Sequence, residues 1–217
     1  MKPSYPNLTV LPQTDALLSA MTYLRDESTS REDFIFHSDR VIRFLIEAAL
    51  NLLPFVENTV STSTDAEYIG LAALGKICGI SIMRAGESME LALRECCRSI
   101  RIGKILIQRD ENTALANLYY SKLPPDVANR TCLLLDPMLA TGGSAIKAIE
   151  LLIEHQVPED HIIFVNLVCC PEGLQKIFET YPNISIVTAA VDEKLDDKKY
   201  ILPGLGDFGC RYFGTDV

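Results

Sequence analysis

The sequence predicts an α/β protein built on a doubly wound, mainly parallel sheet, with helices at the N-terminus and a β-hairpin arm. Two observations carry most of this. From Gly79 onward, short runs rich in Val, Ile and Leu alternate with amphipathic stretches of helical period. Strands apolar on both faces belong to a parallel sheet covered by helices on both sides. The first third of the chain shows helical spacing instead, which puts its helices outside that alternation.

Taken in order, Leu17, Ala20, Met21 and Leu24 share one helical face. Ile42, Leu45, Ala49 and Leu52 repeat the spacing until Pro54, which cannot continue a helix. Residues 57–67 are polar and rich in Ser and Thr, and are expected as a surface loop. GISIM at 79–83 reads as the first core strand, followed by a helix over SMELALRECC. KILIQ at 104–108, TCLLL at 131–135, HIIFVNLVCC at 161–170 and ISIVTAAV at 184–191 are further strands, with helices at 143–154 and 172–180 between them. NLYYSKL at 117–123 falls outside the alternation and reads as a hairpin arm or edge strand. With no internal repeat, the expectation is one domain over 1–217, with a helical part at 1–56 and an α/β core at 79–191.

The chain has 217 residues, with 20 Lys+Arg against 29 Asp+Glu, a formal net charge of −9. That balance argues against a nucleic-acid partner, whose affinity rests on clustered basic residues. A membrane span needs roughly 20 apolar residues. The best stretch, 41–56, is broken by Arg43, Glu47 and Asn51, so no membrane partner is expected. The first residues, 1–13, carry three prolines and lack the apolar core of a signal peptide. The seven cysteines form no CxxC pair and several sit in apolar runs, as reduced, buried thiols do; a cytoplasmic protein is expected. The three histidines have no metal-ligand spacing.

In a sheet of this kind, ligands bind beyond the carboxyl ends of the strands. One junction has the residues for it. Leu133-Leu134-Leu135 delivers Asp136 at a strand end, Pro137 fixes the exit, and Ala140-Thr141-Gly142-Gly143-Ser144 turns into a helix. Glycines let backbone N–H groups approach an anion, and the helix N-terminus adds positive potential. The lysine and spacing of a Walker A loop are missing. A plain tight turn with Ser144 as helix cap is the alternative reading.

The segment DPMLATGGSA at 136–145 resembles the phosphoribosyl pyrophosphate (PRPP) loop of type I phosphoribosyltransferases, in the form typical of the uracil phosphoribosyltransferases. ISIMRAGESM at 80–89, RIGKILIQRDE at 101–111 and YILPGLGDFG at 200–209 look like the same family, in its order, and the wording is closest to its eukaryotic branch. FIFHSDRVIRFL at 34–45 extends the likeness over nearly the whole chain.

The resemblance implies transfer of the phosphoribosyl group of PRPP to uracil, giving uridine monophosphate and pyrophosphate. Asp136, Arg109 and Asp207 would be its catalytic residues. The donor would lie against Arg84, Arg109, Asp136, Pro137, Met138, Leu139, Ala140, Thr141, Gly142, Gly143, Ser144 and Asp207. The loop at 200–214 would read uracil through Tyr200, Ile201, Gly206, Asp207 and Phe208, largely with main-chain groups. Guanidinium forks suit pyrophosphate oxygens, although surface salt bridges are the alternative for any arginine. No metal ligand is expected in the protein itself, because magnesium would arrive with PRPP. Related enzymes often have a strained or cis peptide in the loop after the first core strand, here at Arg84. A loop or hairpin around 110–125 would close over the reactive centre.

GTP is a possible activator, at Arg31, Arg40, Lys76, Arg101 and Arg130, and a homodimer or homotetramer is implied. One position departs from the pattern: the family usually has a second aspartate after GDFG, where this chain has Cys210. A catalytically weak or inactive nucleotide-binding regulator of the same fold is therefore the alternative.

Overall fold

The computed structural model describes residues 5–109 and 116–215. In chain order it contains β1 (Leu8–Val10), α1 (Asp15–Arg25), α2 (Arg31–Leu50), β2 (Phe55–Ser61), β3 (Glu67–Ala73), β4 (Ile77–Met83), α3 (Glu90–Cys96), β5 (Arg101–Arg109) and β6 (Ala116–Lys122). There follow β7 (Thr131–Leu135), β8 (Met138–Leu139), α4 (Gly143–Glu154), β9 (Ile162–Cys169), α5 (Pro171–Thr180), β10 (Ser185–Val191), β11 (Lys194–Leu195), β12 (Ile201–Leu202) and α6 (Phe208–Phe213).

The main sheet runs β1-β10-β9-β7-β4-β5-β6, with β8 paired to β9. All pairings are parallel except β5 with β6, so the predicted α/β class and doubly wound, mainly parallel sheet are borne out. The strand TCLLL shows how one sequence serves two faces. Leu133 and Leu135 join the core under α1, α2 and α3, whereas Cys132 and Leu134 join the core under α4 and α5. Leu17, Ala20, Met21 and Leu24 are buried on α1, as are Ile42, Leu45 and Ala49 on α2. Thr14 caps α1 by accepting from the Leu17 amide, and Ser30 caps α2 by accepting from Asp33.

Three expectations need correction. Residues 57–67 are not a loop: β2 and β3 form an antiparallel arm, and only the tip at 62–66 turns. Every residue of β2 is exposed, so the strand never needed the apolar alternation that would have revealed it. The N-terminal part is not wholly helical, because β1 pairs in parallel with β10 and forms the sheet edge. The predicted helix over SMELALRECC begins as a 3-10 turn, Ala85–Met89, before α3. NLYYSKL lies largely in β6, the antiparallel edge strand.

Candidate active site

Leucine-rich β7 ends at Leu135, and β4 ends at Met83 beside it in the sheet. Both strands therefore deliver their next residues, Asp136 and Arg84, to one carboxyl edge. There the structure opens a cleft of about 350 Å³ lined by Arg84, Asp136, Met138–Ala145, Lys199–Ile201 and Gly206–Gly209.

The turn into α4 is built on Gly142, at φ 76°, where a side chain would be strained and would crowd the Gly173 carbonyl. Gly142 is also the N-cap, and no side chain caps α4. The reading of Ser144 as a cap is thereby excluded. The first-turn amides of this helix face the cleft with the helix dipole behind them, an arrangement suited to phosphate. Pro137 is set back from the cleft; its carbonyl accepts from the Leu167 and Val168 amides at 2.9 and 3.1 Å and anchors the loop to β9.

The peptide Met83–Arg84 is cis, at the position expected. The following turn passes so close to β7 that a Cβ on Gly86 would lie 2.2 Å from the Leu135 carbonyl oxygen. Beneath it, Lys104 bonds Glu87 at 2.5 Å and Ser81 donates to Glu90 at 2.6 Å. The Glu87 contact, followed by the charge of Glu90, holds the Lys104 ammonium above its ordinary pKa. Arg84 itself is exposed, with its guanidinium 5.4 Å from the Phe213 ring centroid. It donates to the Cys210 sulfur at 3.8 Å, a weak contact where a carboxylate would form an ion pair. The departure at Cys210 thus leaves Arg84 loosely held at the cleft's rim.

The loop at 200–209 closes the other side. Ile201 and Phe208 turn their side chains into the core, Phe208 against Phe34 and Tyr212 at centroid distances of 5.4 and 5.5 Å. Both residues nonetheless line the cleft. Asp207 is exposed and caps α6 by accepting from the Cys210 amide at 2.8 Å. Tyr200 is half-exposed at the rim.

Of the residues expected to meet the donor and base, the cleft gathers Arg84, Asp136, Met138, Leu139, Ala140, Thr141, Gly142, Gly143, Ser144, Tyr200, Ile201, Gly206, Asp207 and Phe208. Arg109 ends β5 at the same edge, but its side chain lies outside the described residues. So do residues 110–115 of the expected closing segment. Sequence reasoning missed Lys199, which lines the cleft at φ 69°; nothing in its polar surroundings, DEKLDDKKY, separates it from a solvated charge.

The five basic residues expected to hold GTP lie on two parts of the chain, α2 and the amino ends of β4, β5 and β7. Arg101 and Arg130 share Asp126 near the amino ends of β5 and β7, Arg130 as a fork at 2.8 and 2.7 Å. These contacts, Arg130 foremost, bring the Asp126 carboxyl down to about 2. Lys76 precedes β4 near them, whereas Arg31 and Arg40 lie on α2. Arg31 donates to the Tyr212 carbonyl, and Arg40 contacts His37 and Phe36.

Comparison with known proteins agrees with this geometry. The family model for uracil phosphoribosyltransferase matches residues 10–215. The chain is 57% identical over 209 residues to the uracil phosphoribosyltransferase of Lachancea kluyveri, covering 96% of this chain and 97% of the relative. It is 56% identical to that of Dictyostelium discoideum, over 98% of this chain and 99% of the relative. Among solved structures, the AQ2163 protein from Aquifex aeolicus superposes with a TM-score of 0.84 at 29% identity, covering 97% of this chain and 99% of that one. By sequence over nearly its whole length and by fold, the chain belongs to the uracil phosphoribosyltransferase family.

Proposed function

We infer that this protein transfers the phosphoribosyl group of PRPP to uracil in pyrimidine salvage. The bond from C1 of the ribose to the pyrophosphate oxygen breaks, a bond to N1 of uracil forms, and N1 gives up its proton. The observation that carries the reading is the single cleft in which an uncapped helix N-terminus, a strand-end carboxylate and a main-chain loop face one another.

The Ala140–Ser144 turn receives the 5-phosphate. Asp136 accepts from the ribose hydroxyls, and its charge favours the positive ring that develops as the bond breaks. Arg84 and Arg109 take the pyrophosphate, drawing charge from the leaving group. Asp207, at the cleft's rim, faces the donor. The turned-in side chains of Ile201 and Phe208 leave main-chain groups to read uracil's N–H between two carbonyls. A purine is excluded by size, and cytosine by reversed donor and acceptor polarity. No protein nucleophile is needed; orientation and charge placement supply the catalysis.

The reading includes magnesium entering with the pyrophosphate, GTP as an activator, and a cytoplasmic setting, the last supported by seven free cysteines. Self-association as a homodimer or homotetramer is included too. It is supported by the β2–β3 arm, where Tyr68, Ile69 and Leu71 are each at least 60% exposed.

The test is pyrophosphate release from PRPP and magnesium with uracil, cytosine or hypoxanthine, each with and without GTP. Release is expected with uracil alone and faster with GTP. A folded protein that binds PRPP but releases nothing with any base would be the non-catalytic regulator instead.

A further inference from the structure

We propose that Arg25 and Asp192 are positioning residues for the base, acting from outside the cleft. The proposal rests on the assignment of the 200–209 loop to uracil. At the centre of that loop, Gly204 adopts φ 63°, and a Cβ there would lie 2.0 Å from the Ile201 carbonyl oxygen. The turn therefore folds back tightly on Ile201. Its main-chain polar groups are buried and need partners.

Both are supplied by one ion pair. The Gly204 amide donates to Asp192 Oδ2 at 2.8 Å, and the Gly204 carbonyl accepts from Arg25 Nη1 at 2.7 Å. Arg25 grips both Asp192 oxygens, at 2.8 and 2.7 Å, in a fork. The Asp192 side chain is only 4% exposed, so its charge has little water to fall back on. Arg25 is the last residue of α1, and Asp192 directly follows β10, whose course it continues by donating from its amide to the Cys169 carbonyl. Neither residue lines the cleft.

The next residue is held from the same direction. Arg211 donates to the Leu205 carbonyl at 2.7 Å and to the carbonyls of Leu24 and Asp26, with its guanidinium 4.1 Å from the Phe34 ring centroid. The end of α1 is thus a fixed post. Gly204 and Leu205 are tied to it, and Ile201 and Gly206 take their places on either side. A loop that reads a flat ring with main-chain groups depends on its backbone position, because no rotamer can compensate for a displaced carbonyl.

Asp192→Asn keeps the shape but must turn an amide NH₂ toward the guanidinium, and Arg25→Met keeps an apolar stem but removes all three bonds. For each, the uracil KM is expected to rise about tenfold. The PRPP KM and the kcat at saturating uracil should stay within about threefold of the parent, as for lost binding that is equal in ground and transition states. Arg25→Lys, which keeps the charge and one bond, should recover part of the uracil KM, and it supplies the comparison if Arg25→Met does not fold. Folded variants with an unchanged uracil KM overturn the proposal. So does a parallel rise in both KM values with a lowered melting midpoint, which marks general loosening. The parent enzyme separates this from the underlying assignment: no uracil-dependent release by the parent removes both, whereas uracil use by the parent with unaffected variants removes the positioning role alone.

Discussion

The part of the cleft assigned to the donor's ribose and 5-phosphate comes from one run of chain, 136–145, between a buried strand and the start of α4. The half assigned to the base is short of local support. Its loop has little regular structure between β12 and α6, and its turn is held by Arg25, from nearly 180 residues earlier in the chain. The donor half works through what a strand–glycine–helix junction does anywhere: it exposes amides and points a dipole. The base half works only if several distant elements agree on where one backbone turn sits. Changes in the first half should therefore affect chemistry and spare the fold, while changes in the second should affect affinity for the base and stability together.

The largest expected effect is on the donor side. Asp136→Asn should lower kcat by about a hundredfold or more, because a charge aimed at the transition state is lost from a preorganised site. Its melting midpoint should hardly move. Steady-state kinetics beside a thermal melt checks this, and unchanged turnover would remove the role given to Asp136. On the base side, Phe208→Ala should remove about 3–5 kcal/mol of stability, since the ring is buried against Phe34 and Tyr212. It should also raise the uracil KM more than the PRPP KM; an equal rise in both would erase the contrast between the halves.

The smallest effect sharpens the account of the base side. Asp39 on α2 accepts from the Tyr212 hydroxyl at 2.9 Å, behind Phe208. Burial, partly offset by that hydrogen bond, raises the Asp39 carboxyl above its ordinary 3.8. A raised carboxyl favours the fold fully below its unfolded value, and that advantage is lost as pH rises through the folded one. At neutral pH the ionised, half-buried carboxylate is therefore a burden, which Asp39→Asn should relieve by less than about 1 kcal/mol while still accepting from Tyr212. Melting midpoints measured from pH 7 downward should converge as the pH approaches 3.8, and a gap that widens toward acid contradicts the sign.

Most of the sheet was legible because hydrophobic period is a local property. ILI at 105–107 and LLL at 133–135 announce strands buried on both faces wherever they occur. The arm over 55–73 was not legible, because none of the described residues buries it and its pattern carries little burial. The five basic residues carried over from the resemblance show a different limit, because position in the sequence says nothing of partners: Arg101 and Arg130 are paired with Asp126, while Arg31 and Arg40 lie on α2.

Local pattern was enough for the order of the core strands and helices from β4 to β10, the carboxylate at the end of β7 and the glycine turn after it. Those depend on side-chain period, on backbone freedom at Gly142 and on the dipole of one helix, all properties of neighbouring residues. It took the packed fold to turn Ile201 and Phe208 inward, to bring Lys199 to the cleft, and to set Arg25 and Asp192 on Gly204. A charge pair between residues 167 positions apart leaves no mark on local pattern, because its energy exists only once α1 and β10 have packed and excluded the water between them.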